Sequence, residues 1–173
     1  MARSLRSLGL TGHVAASVGW LGAVMCFDVL AFIGLYGSDP QLTRSSLLLM
    51  RPIVEYLIVP LCLAATITGV VQSMITKWGL FEHYWVVVKL VLTIVATLAL
   101  WLHLSPIRDV SAAAKLAPAL PSSLSATRLQ VSVDATLATI TLLVLTGLGV
   151  YKPRGVTPYG WRKHNLRWAH SKS

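Results

Sequence analysis

Four long apolar blocks constrain this chain more than anything else in it: Leu10 to Tyr36, Ile53 to Met74, Tyr84 to Leu104 and Val131 to Tyr151. Each is near or above the roughly 20 residues that a helix needs to cross about 30 Å of hydrocarbon. In lipid every backbone N–H and C=O must be satisfied within the protein, so only helices and closed barrels can span. The blocks are continuous and lack the two-residue alternation of barrel strands, which selects helices. The sequence therefore predicts an all-α fold, an integral membrane four-helix bundle over residues 1–151, followed by a basic tail over 152–173. Composition agrees, because only 12% of the residues are charged, against about a quarter in soluble chains. Arg3 and Arg6 precede the first block as they would in a signal peptide, but the block is longer than an h-region and is expected to be retained.

The formal charge of +9 is explained by its distribution. With the N-terminus inside, nine lysines and arginines fall on the cytoplasmic side, among them Arg3, Lys77, Lys152 and Lys163. Five fall outside: Arg44, Arg51, Arg108, Lys115 and Arg128. This bias predicts an N-in, C-in topology. The tail carries Tyr159, Trp161 and Trp168 among its cations, a composition suited to anionic lipid headgroups rather than to nucleic acid. Cys26 and Cys62 fall inside predicted helices, where a free thiol behaves as a small hydrophobe; a disulfide between the first two helices is the alternative.

A short connection, Ile75 to His83 with Gly79 inside it, predicts an antiparallel hairpin of the second and third helices. Trp78, Phe81, Tyr84 and Trp85 around it have the composition of interfacial anchors. In the longer segment from Ser105 to Gln130, Ile107 to Leu116 can form a separate surface helix before Pro118 and Pro121, or the whole can be a mobile loop. Ala65, Gly69 and Ser73 repeat every four residues, the pattern of close helix packing in lipid. Gly19, Gly22, Gly147 and Gly149 supply further close approaches, and Pro60 predicts a kink.

Ionisable side chains within a span cost about 3 kcal/mol or more on insertion scales, so each invites a functional reading. At about 1.5 Å per residue from each helix midpoint, Asp28, Asp134, Glu55 and His103 form an outer storey. Lys89, His13 and His83 form an inner one. The outer group, with Arg51 one turn from Glu55, can bind a cation, pass protons, or simply hold the bundle together. In the inner group His13, Ser17, Trp20 and Val24 share one stripe, and Lys89, Thr93, Ala96, Leu100 and His103 another. These two faces are expected to look at each other. No nucleophile–base pair or H-E-x-x-H motif appears.

The run Gly12 to Ala23, together with Trp78 to Trp85 and Lys89, closely resembles an uncharacterised family of small four-helix membrane proteins common in actinobacteria. That resemblance covers most of residues 8 to 104 and implies a multi-pass protein of a bacterial cytoplasmic membrane. A histidine seven residues before a tryptophan, then a histidine and a lysine opening a later helix, more distantly resembles HemJ-type protoporphyrinogen oxidases and CopD-type copper proteins. The HemJ resemblance implies that His13 and Lys89 serve haem b binding and catalysis; one expectation is His13 as ligand beside Trp20 with Lys89 pairing a propionate, and either His83 or a weak group as the second ligand. In that family the histidine stands two residues before the lysine, whereas His83 stands six before Lys89. His13 and His103 differ by roughly 29 Å in depth at 1.5 Å per residue, so they cannot share one iron. The expected function is thus a cofactor-binding membrane protein, an oxidoreductase if it is an enzyme. The alternatives are a non-enzymatic subunit or scaffold, in contact with another membrane protein or its own copies, and a proton or metal carrier using the outer carboxylates.

Overall fold

A computed structural model describes residues 2–75, 79–116, 122–153 and 155–170, and among them the side chains of all but 2–6, 122, 164 and 166–170. Lys77, Trp78, Pro118, Pro121, Arg154 and Lys172 lie outside the described residues, as do the side chains of Arg3, Arg6, Arg167 and Trp168. The helices are α1 (Ala2–Tyr36), α2 (Pro40–Ile53), α3 (Val59–Ile75), α4 (Tyr84–Leu116), α5 (Ser125–Tyr151) and α6 (Pro158–His170). A π turn, Val54–Ile58, joins α2 to α3 without a break, so four continuous helical segments are long and apolar enough to cross a membrane. The protein is an all-α, multi-pass membrane protein.

Two spans run well past their expected ends. The second was expected from Ile53, yet Asp39 accepts the N–H of Gln41 at 2.9 Å and starts a helix with Pro40 in its first turn. This α2 is amphipathic rather than wholly apolar, which is why a search for apolar length passes over it; it buries Leu47 and Met50. The third span was expected to stop at Leu104, with Ile107 to Leu116 separate. Instead α4 continues through Pro106, because Ile107, Val110 and Ala114 are buried in the core cluster that also holds Leu47 and Met50. Burial there offsets one lost backbone hydrogen bond. Near Pro60 the expected kink takes a specific form: Val59 donates its N–H to Val54, five residues back, in the π turn that precedes the ring.

The two ends of the bundle differ. At the distal end, opposite both termini, arginines close helix C-termini. Arg128 donates to the carbonyls of Gly34 and Leu35 at the end of α1. Arg44 donates to Ala114 at 2.7 Å and Lys115 at 3.2 Å at the end of α4, satisfying orphan carbonyls and complementing the helix dipoles. At the proximal end the segment after α5 folds onto the α3–α4 connection rather than lying wholly on its own. Thr157 donates to Phe81 O at 2.6 Å, His83 pairs with Val156, and Lys163 meets the buried carboxylate of Glu82 at 2.5 Å.

Packing density follows the same division. The core stripe of α1 runs through Ala16, Trp20, Ala23, Phe27 and Ala31, and that of α2 and α3 through Leu47, Val54, Ile58, Cys62 and Ala65. On α4, by contrast, no residue between Val86 and Leu104 is buried. The bundle is therefore tight distally and loose along the membrane portion of α4. Replacing Arg128 with Gln is expected to lower unfolding stability by about 1 to 2 kcal/mol through loss of the α1 cap, with Arg128→Lys intermediate, as read by thermal unfolding in detergent.

Candidate functional site

Where α4 packs loosely, a partly open cavity of about 840 Å³ lies between α1, α3, α4 and α5. The α1 stripe contributes His13, Ser17 and Trp20, and the α4 stripe contributes Lys89 and Thr93. From α3 come Ala65, Gly69 and Gln72, and from α5 Leu142, Leu145 and Gly149. Only the proximal parts of the two stripes read from the sequence thus line one space; Val24, Ala96, Leu100 and His103 are not among its lining residues. His83 is not among the lining residues; it sits in the bridge to Val156.

His13 is held in one tautomer. Its Nδ1 lies 3.1 Å from Thr68 Oγ1, whose own hydrogen goes to the carbonyl of Ala64 at 2.5 Å. The threonine oxygen can then only accept, so Nδ1 carries the hydrogen and Nε2 keeps its lone pair. The ring rests on Gly69, where a Cβ would stand 3.0 Å from His13 Cε1. Gly69 was read as a helix-packing residue; its contact is with an imidazole instead. On α5 the Nζ of Lys89 occupies the equivalent place, 3.0 Å from where a Cβ on Gly149 would be. Gly22 and Gly147, expected to mark close approaches, have no described neighbour within 4 Å of such a Cβ.

Lys89 makes no hydrogen bond or ion pair with a described residue, and no carboxylate is among the residues lining the cavity. Gln72 is 8% exposed, and its Nε2, against Gly9 of α1, has no hydrogen-bond acceptor among the described residues. Thr68 and Gln72 were not singled out in the sequence. The available signal was their spacing, since Ala65, Thr68, Gly69 and Gln72 follow one helix face.

The outer storey resolves into three separate arrangements. Glu55 accepts from Arg51 at 3.2 Å and from Arg108 at 2.8 Å. Asp28 accepts from Thr136 at 3.0 Å and Thr139 at 3.3 Å, both on α5. His103 donates Nδ1–H to Ala99 O at 2.7 Å and places Nε2 3.0 Å from Asp134 Oδ2. The Nε2–Oδ2 contact is close but lacks hydrogen-bond geometry, so the buried Asp134 Oδ2 has no hydrogen-bond donor among the described residues. Among the described residues no group of three or more His, Cys, Asp or Glu side chains can hold a metal ion. Cys26 and Cys62 are free thiols.

No family model, curated protein or solved structure matches this chain. The chemistry of the cavity therefore carries the functional reading.

Gly69→Ala is expected to push the His13 ring off its seat, and Thr68→Val to release its tautomer at a cost of about 1 kcal/mol. Histidine NMR of labelled protein checks both: Nδ1–H and bare Nε2 signals in the parent, a mixture of tautomers in Thr68→Val.

Proposed function

We propose that this membrane protein binds a small cofactor in the proximal cavity, with haem b as the first ligand to test. The observation that carries the reading is the single available imidazole lone pair, His13 Nε2, in a mainly apolar space flanked by Trp20 and Lys89. A volume of about 840 Å³ lies within the usual range of small-molecule sites. The resemblance to HemJ-type proteins points to the same histidine and lysine. His13 would be the one protein ligand to iron from this cavity, because His83 is not in its lining; a bound haem would supply redox chemistry, and the protein would then act as a membrane oxidoreductase.

The scaffold reading draws on a different observation. Two of the distal carboxylates are answered within the chain, Glu55 by Arg51 and Arg108 and Asp28 by threonines, as in a bundle whose polar residues serve cohesion. Orientation is proposed as N-in in a bacterial cytoplasmic membrane. On α6 the exposed Tyr159 and Trp161 beside Arg162 suit anionic headgroups.

Absorption spectroscopy after haem-supplemented expression tests the cofactor. A Soret band that His13→Gln abolishes without loss of monodispersity is expected; a colourless parent protein removes haem from the reading. For the topology, cysteines placed at the exposed Leu116 and Tyr159, with Cys26 and Cys62 replaced by alanine, should label from opposite faces of sealed vesicles. Labelling of both from one face would refute it.

A further inference from the structure

The polar groups of the cavity are not mixed in sign. Two lysines, Lys89 and Lys152, line it, and none of its described lining residues is acidic. The chain has six Asp and Glu side chains, and they are placed elsewhere. Asp28, Glu55 and Asp134 lie distally, Asp39 caps α2, Glu82 meets Lys163, and Asp109 is exposed on the distal part of α4. A cation half-buried among apolar helices without a counter-ion is costly. Gln72 also lines the cavity, but its amide nitrogen is fully buried against Gly9 of α1, which leaves Lys89 as the donor open to a ligand. An ammonium requires oxygens that accept.

Backbone conformation points the same way. Lys152 is the only non-glycine residue with positive φ among the described residues, at φ 43, where it closes α5 by donating its N–H to Leu148. Glycine is the usual residue at this place in a helix end, because it bears the left-handed conformation without steric cost. A lysine there keeps a second positive charge on the cavity at the expense of local strain. The remaining wall is hydrocarbon, from Leu10, Leu90, Leu142 and Val150.

We infer that the ligand of this cavity is an anionic amphiphile, with carboxylate or phosphate oxygens held by Lys89 and a hydrocarbon body lying against the apolar wall. The inference rests on the cavity being a ligand site, and it specifies the chemical class that site accepts. Carboxylate and phosphate present the same acceptor-only oxygens, so fatty acids and anionic lipids share the required chemistry, whereas a neutral lipid or sterol lacks it.

Trp20 and Trp85 line the cavity, so tryptophan fluorescence of the purified full chain in neutral detergent reads occupancy. A brominated stearic acid should quench saturably, while its methyl ester, compared at the same micellar mole fraction, should show only the linear background. Lys89→Met should raise the half-saturating concentration about tenfold or more, as for the loss of a hydrogen bond to a charged group, and Lys89→Arg should retain binding. Lys152→Gly should raise thermal stability while weakening the acid. Competition by dodecyl phosphate would extend the head to phosphates, and its absence would restrict it to carboxylates.

Equal saturable quenching by acid and ester would overturn the acidic head, and displacement by millimolar inorganic phosphate would overturn the amphiphile. If the acid fails to bind but haem binds, the cavity remains a ligand site and this inference alone falls. Failure of both removes the ligand-site reading itself. The acid–ester comparison on the parent protein stands even if a variant fails to fold.

Discussion

A polar group inside a bilayer finds no water to satisfy it, and nearly every feature of this bundle answers that constraint. Backbone groups are satisfied by long helices, which continue past Pro106 and absorb Pro60 through a π turn. Helix ends at the distal face are closed by Arg44 and Arg128, side chains long enough to reach across to another helix. Intramembrane hydroxyls turn back on their own helices, as Thr66 does on Cys62 O at 2.8 Å and Thr97 on Thr93 O at 2.8 Å. Against this background an unanswered group is conspicuous. Among the described residues, Lys89 and the bare nitrogen of His13 line one cavity with the Gln72 amide buried beside it, while Asp134 Oδ2 is a further unsatisfied atom at the distal end.

The position of that cavity follows from packing. α1 presents a stripe of small and aromatic residues that α3 and α5 approach closely, whereas the membrane portion of α4 carries Val, Leu, Ile and Thr side chains with none of them buried. α4 is anchored at both of its ends instead. Its distal extension packs on α2, and its start is tied to the segment after α5 through the backbone bond from Tyr84 N–H to Gly155 O at 3.3 Å. A helix fixed at its ends and loose between them leaves a space beside it without loss of the fold. The buried Glu82–Lys163 contact adds a second tie at the proximal end, and the tail therefore belongs in part to the folded domain.

The polar residues show how far residue type and spacing reach. Depth along a helix is a one-dimensional quantity, and His13 and Lys89 were placed in one storey from it; His83 was placed there too, but its side of the connection faces the strand-like segment at Val156 rather than the cavity. The outer four residues share a depth and yet divide into three partnerships, because depth does not specify the angle around the bundle axis. Gly69 was legible as a small residue on a packed face, but that its neighbour is an imidazole depends on how α1 is rotated against α3.

By itself the sequence determined the class of fold and the number of spans, since the length of an apolar block and the demand for internal backbone hydrogen bonds depend only on local composition. It also placed His13, Ser17 and Trp20 on one face and Lys89 and Thr93 on another, the proximal residues that line the cavity. Only the tertiary structure decided that α2 and the end of α4 are helical, because amphipathic segments and proline-containing ones are stabilised by burial against partners distant in the chain. It likewise decided which polar groups are paired and which stand unanswered, among them Gln72 and Lys89. Pairing is a property of two surfaces brought together, and neither surface carries it alone.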